Sequence, residues 1–167
     1  MTHKHAGLTL VEMMIVVALI GLLALLTSPL TGSWVHGARV GESLGAMEQA
    51  VGQAKAAALR NPAAMQGVEA ASVICLSDSV LSVRPAKPAA PPNAAAAATC
   101  GVGGPAALWS TKLPDSVTVK VGTQSWSCSC FTNKALLTRS GANCADCGNS
   151  LEFTISSGDE DETLNFF

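Results

Sequence analysis

This chain predicts an α+β fold, a long N-terminal helix followed by a mainly antiparallel β-sheet domain, and three patterns carry that expectation. An apolar run fills Leu8 to Leu26. Val40, Leu44, Met47, Val51, Ala54 and Ala58 then recur at alternating spacings of four and three, which lays one apolar stripe along a helix. Beyond Pro62 the period shortens to alternating runs of four to six residues, the signature of strands.

The first pattern begins unusually. A short polar leader, residues 1–7 (MTHKHAG), runs straight into LTLVEMMIVVALIGLLALL. A secretory signal peptide keeps its apolar region ahead of the cleavage site and loses it on processing. Here the plausible early cut, after Gly7, leaves the apolar stretch on the mature chain. As a helix, Leu8 to Leu26 spans roughly 28 Å, close to the thickness of a bilayer core. Residues 8–30 are therefore expected to be a membrane anchor, with membrane lipid as the first partner and Lys4 on the cytoplasmic side.

Glu12 interrupts that run. A carboxylate at the centre of a bilayer costs on the order of 2.5–3.5 kcal/mol, so it marks a functional position and calls for a cation. Cleavage after Gly7 creates one, the α-amino group of Leu8. Within one helix that amine is about 6 Å along the axis from Glu12, whereas the amine of a neighbouring subunit can sit directly beside it. The plain alternative is a glutamate that snorkels to the membrane surface.

The amphipathic half of the helix is assigned to 31–61. Glu42, Glu48, Gln49 and Lys55 lie off the apolar stripe, and Asn61-Pro62 supplies the stop, because a residue before proline is pushed out of the helical region. The stripe suits packing against the protein's own sheet, with a coiled-coil seam as the alternative. Pro29 costs a helix interior about 3 kcal/mol unless the helix bends or unwinds there.

Residues 62–167 form the expected head. Strands are expected at Ser72–Leu76, Val80–Val83, Ala107–Trp109, Val117–Val121, part of Ser125–Phe131, and Leu151–Ile155. The segment 85–98, PAKPAAPPNAAAAA, is low in complexity and reads as an exposed loop. Removal of the leader leaves 160 residues, enough for one anchor and one modest domain.

Six cysteines in an exported domain read as disulfides. Cys75 and Cys100 flank the Pro/Ala-rich loop, and a bridge between them would close it. The other four, Cys128, Cys130, Cys144 and Cys147, form a C-x-C and C-x-x-C set. If 128–130 is extended, both side chains share one face, and bridges to Cys144 and Cys147 are easy to picture. Four thiolates also suit zinc, and a C-x-x-C pair suits redox chemistry, but an oxidising compartment and the lack of a thioredoxin-like context favour disulfides. No metal or other cofactor is expected.

Catalysis has little to stand on, and no enzyme activity is expected. His3 and His5 leave with the leader, and His36 reads as a surface residue. No G-x-S-x-G or S-x-x-K pattern activates a serine. The acidic run Asp159 to Glu162 reads as a solvated turn, with loose calcium binding as the alternative. DNA capture would need clustered cations. Arg84, Lys87, Lys112, Lys120, Lys134 and Arg139 are scattered, so DNA is a partner the sequence allows without favouring.

Gly7-Leu8-Thr9-Leu10-Val11-Glu12, followed by an apolar helix with Gly21 and Pro29, resembles the type IV prepilin signature of pilins and type II secretion pseudopilins. Trp34 to Pro62 resembles the minor pilins and pseudopilins of the GspH/FimT group. The resemblance implies that a membrane peptidase cuts between Gly7 and Leu8 and methylates Leu8. It implies that Glu12 guides docking into a helical filament, and that the helix bends or melts around Gly21 and Pro29. The implied partners are the prepilin peptidase, other minor and major pilins or pseudopilins, and the inner-membrane assembly platform. The implied location is the inner membrane with the head in the periplasm, then a pilus or pseudopilus. A phenylalanine is usual where this chain has Leu8, and the arginine-containing C-terminal motif of DNA-binding relatives is absent.

Overall fold

A computed structural model describes residues 9–101, 104–139, 147 and 150–166, and of residues 26–31 the backbone alone. The chain divides into two compact units, Met1–Val35 and His36–Phe167. One helix, α1, runs from Leu10 to Arg60 and is helical through Gly21 and Pro29.

In the second unit the apolar stripe behaves as its spacing demands. Val40, Met47, Val51, Ala54 and Ala58 are buried in the core, Leu44 packs against it, and Glu42, Glu48 and Gln49 face outward. The stripe is thus consumed by the protein's own strands. The helix ends as the sequence predicts. Asn61 turns to φ +40°, a left-handed conformation that asparagine tolerates at a helix C-terminus. Its side-chain amide then closes on Met65, donating to the carbonyl and accepting from the amide, both at 2.8 Å.

The strands build two antiparallel sheets where one was expected. The first contains β1 (Ser72–Ser77), β2 (Val80–Pro85), β3 (Trp109–Lys112), β6 (Cys128–Phe131) and β7 (Leu137–Thr138), in the order β3-β2-β1-β6-β7. The second contains β4 (Val117–Val121), β5 (Gln124–Ser125), β8 (Glu152–Ser157) and β9 (Glu160–Asn165), in the order β5-β4-β8-β9. The chain changes sheets between two adjacent residues. The Trp126 amide still bonds to Val119 of β4 at 3.0 Å, while the Ser127 carbonyl already accepts from Leu76 of β1 at 2.8 Å. Periodicity read across Ser125–Phe131 has no means of registering that switch, because both halves look extended.

Alternation assigns the two faces of the first sheet. Ser72 Oγ donates to the carbonyl of Ala54 at 2.7 Å, so Ser72, Ile74, Val83, Ser129 and Phe131 face α1. Val73, Cys75, Arg84, Cys128 and Cys130 take the opposite face. Both faces are buried, and the second needs its own cover.

Three further expectations are corrected. The third strand starts at Trp109 rather than Ala107 and continues to Lys112. The acidic run is only partly a turn: Gly158-Asp159 makes the tight link, and Glu160 onward forms β9, paired with β8 along its length. Hydrogen bonding to a neighbouring strand overrides the low strand preference of acidic residues, and the position at a sheet edge leaves their side chains in water. Finally, His36 is half-buried. Its Nδ1 lies 2.9 Å from Ser157 Oγ, which contacts Ser116 Oγ at 3.1 Å; Arg39 in turn donates to Ser116 at 3.1 Å.

Gly158 is held by two constraints at that point. Its φ is +59°, and a Cβ there would meet the His36 ring at 3.1 Å. Gly158→Ala is therefore expected to destabilise the head by about 1–3 kcal/mol through backbone strain and the ring contact together. In a His36→Ala background the loss should be smaller, since only the strain remains. Thermal melts of both singles and the double variant measure this, and equal losses in the two backgrounds would remove the ring contact from the account.

Candidate functional site

The start of α1 carries a reciprocal cap. Thr9 precedes the helix, and Glu12 is its third helical residue. Glu12 Oε2 accepts from the Thr9 amide at 2.9 Å and from the Thr9 hydroxyl at 3.0 Å, while the Glu12 amide donates to Thr9 Oγ1 at 3.2 Å. This is the capping-box arrangement, in which two of the helix's otherwise unpaired N–H groups are satisfied at once. Sequence reasoning assigned Glu12 only an intersubunit partner and missed Thr9. The Thr-x-x-Glu spacing was the available signal.

From Leu10 to Leu25, every large apolar side chain is 46–77% exposed. A shallow apolar hollow lined by Leu10, Met13, Met14, Val17 and Ala18 lies on this surface. Soluble monomers rarely leave so much contiguous apolar surface uncovered, and such surface marks contact with lipid or protein. Among the described residues, no helix is long and apolar enough to cross a membrane. Gly7 and Leu8, the expected cleavage and methylation positions, lie outside the described residues, as does the side chain of Pro29. Gly21 is exposed, with open space where a side chain would stand.

The head is laced by cystines on the sheet face turned away from α1. Cys75 is bonded to Cys100, and Cys130 to Cys147. Cys128 is likewise disulfide-bonded. Cys75 and Cys128 are direct cross-strand neighbours, yet Cys75 bonds across the loop instead. The Cys130–Cys147 bond uses up two of the four thiols that a zinc site would need. Cys144 lies outside the described residues.

The cations are spread over several elements of the head. Arg84 sits on β2, Lys112 on β3, Lys120 on β4 and Lys134 in the β6–β7 turn, while Lys87 follows β2 and Arg139 follows β7. Lys112 is engaged by Asp115 at 3.1 Å.

Against known families, residues 2–28 match the model described as the prokaryotic N-terminal methylation motif. The chain carries the type IV pilin signal. The match supports a type IV pilin-like or pseudopilin-like structural subunit, processed by a prepilin peptidase and partnered by other pilins. The α+β architecture, with a long N-terminal helix and antiparallel sheets, is consistent with that fold. No curated protein and no solved structure matches the chain.

Peptide mapping without reduction is expected to recover Cys75 joined to Cys100 and Cys130 joined to Cys147. Cys128 should appear with Cys144, the cysteine left over. Replacing Cys75 and Cys100 together by serine should cost about 3 kcal/mol, because the bond closes a sequence separation of 25 residues. Urea unfolding of the oxidised variant and parent gives the difference directly.

Proposed function

We propose that this chain is a minor pilin or pseudopilin of the GspH/FimT kind, which enters a type IV pilus or type II secretion pseudopilus through its N-terminal helix and primes assembly or occupies the tip. The observation that carries the reading is the methylation motif over residues 2–28, with its glutamate, Glu12, seated in the first turn of a helix whose apolar surface is uncovered.

In this reading the subunit waits in the inner membrane with residues 8–30 in lipid and the head in the periplasm. The prepilin peptidase cuts between Gly7 and Leu8 and methylates the new amine. Until assembly, the Thr9 amide and hydroxyl supply the hydrogen bonds that the Glu12 carboxylate would otherwise lack in an apolar medium. On docking, Glu12 meets the cationic N-terminus of a neighbouring subunit, and lipid contacts of the helix are exchanged for protein ones. A bend near Gly21 and Pro29 accommodates the helix in the filament. DNA capture is not proposed, since the cations are scattered in sequence and the C-terminal region is acidic.

The double role of Glu12 makes two substitutions informative. Glu12→Ala removes both cap and charge, and should leave cleavage intact while abolishing incorporation. Glu12→Gln keeps a residue that completes a capping box but carries no charge. If charge pairing drives docking, Glu12→Gln is also excluded from filaments; normal incorporation of Glu12→Gln would instead assign the role to the cap. Mass spectrometry of the same membranes should find methylated Leu8 as the N-terminus in the parent and in both variants. An intact leader in the parent would overturn the reading as a whole.

A further inference from the structure

The Pro/Ala-rich excursion between β2 and β3 plays no part in the assembly reading, and it is not the slack loop its composition suggests. Both of its ends are fixed in the core. Ala86 and Ala98 are fully buried, with the Ala86 amide bonded to Ala71 at 2.8 Å and the Ala98 amide to Ala70 at 2.9 Å. Lys87 and Ala96 then exchange a reciprocal pair of backbone bonds at 2.8 and 3.0 Å. Nearer the tip, Ala90 and Asn93 do the same at 3.0 and 2.7 Å. The Cys75–Cys100 bond clamps the base to β1. Residues 87–94, by contrast, are all exposed. The result is an ordered hairpin-like projection tipped with Pro88, Pro91 and Pro92.

We propose that this projection is a preordered docking knob for a different protein that presents an aromatic-lined groove. Alanine and proline have essentially no side-chain rotamers to lose on binding, and the backbone bonds have already ordered the chain. The usual ordering cost of a loop at an interface is thereby largely removed. Proline rings offer flat, rigid apolar faces. The P-x-x-P spacing 88–91, with both prolines exposed, is of the kind that aromatic grooves accept. Lys87 is the one charged residue from Pro85 to Ala98, and it calls for a carboxylate at the groove's rim.

Other occupants fit poorly. A bilayer takes up long apolar or aromatic side chains, and the tip has none. A nucleic acid needs several cations, and the projection has one. A second copy of this chain fits less well: it has no tyrosine, Trp126 is buried, Trp109 is half-buried in the sheet, and the exposed Trp34 stands on the convex surface of α1 rather than in a groove.

The test uses the full-length protein in its native cells, with the photo-crosslinking residue p-benzoylphenylalanine placed at Ala89, at Ala94 or, as a control, at the exposed Thr118. The two loop positions should join one and the same foreign protein, within a segment bearing tryptophan or tyrosine, and the control should not. Replacing Pro88, Pro91 and Pro92 together by serine should lower the yield at least tenfold while the Cys75–Cys100 peptide still forms. Lys87→Glu, which leaves the prolines in place, should lower it as well. The proposal is overturned by adducts to copies of this chain, to lipid or to segments without aromatic residues, by no adduct at all, or by yields indifferent to these variants. The mass of the N-terminal peptide in the same sample reports leader processing separately, so a failure here and a failure of the assembly reading are distinguishable.

Discussion

Between Leu10 and Leu25 the helix carries apolar side chains on every side, and among the described residues of its own unit nothing buries them. That constraint shapes the rest of the molecule. A helix apolar all round needs a medium that is apolar all round, either lipid or the helices of other subunits. The remaining residues, by contrast, bury a core of their own. In a subunit that assembles through this helix, as proposed above, the head would have to be stable on its own first.

The head meets that requirement with a small core and covalent help. Aromatic residues make up only 4% of the chain, and the core of the second unit is filled largely by alanine, valine and cysteine. Small side chains bury little area each, so the hydrophobic contribution per residue is modest. α1 covers one face of the first sheet, and cystines clamp segments over the other. The second sheet relies on an aromatic cluster instead. Trp126 and Phe153 meet edge to face at 5.1 Å, Phe153 and Phe166 at 5.9 Å, and the Trp126 indole donates to Ser129 of the first sheet. One tryptophan, at the residue where the chain changes sheets, thus ties the two sheets together.

These features differ in how far they were legible from sequence. The stripe from Val40 to Ala58, the stop at Asn61-Pro62 and the alternation of Val117–Val121 follow from local periodicity and turn chemistry, and the structure has them in place. The Cys75–Cys100 bond was legible because both residues flank a loop. The sheet change at Trp126-Ser127 was not, since it depends on which distant strand supplies each hydrogen bond. β9 was hidden by its acidic residues, which describe an edge exposed to water rather than a backbone paired to β8. His36 was misread for a similar reason. Its neighbours, Ser157 and Gly158, are remote in sequence, and only the fold brings the imidazole over that glycine.

The same helix illustrates why propensity alone would not have found the anchor and head units. Gly37, Gly41 and Gly45 lie in the helix with nothing within 4 Å of the position a Cβ would take, so no contact among the described residues requires glycine there. Each costs on the order of 1 kcal/mol relative to alanine in a helix interior. An isolated helix with such residues would be marginal in water. Here the cost is offset because Val40, Ser43 and Met47, interleaved with those glycines, are buried against the strands, and the Ser43 hydroxyl is satisfied by the Arg39 carbonyl. Helicity around Gly37, Gly41 and Gly45 thus leans on tertiary packing, whereas residues 54–60 are strong helix formers. Among the described residues, the segment before Val35 has no such packing within its own unit. Its cap at Thr9 and Glu12 starts the helix, and in the lipid or filament core proposed above the high cost of unpaired backbone groups would keep it wound.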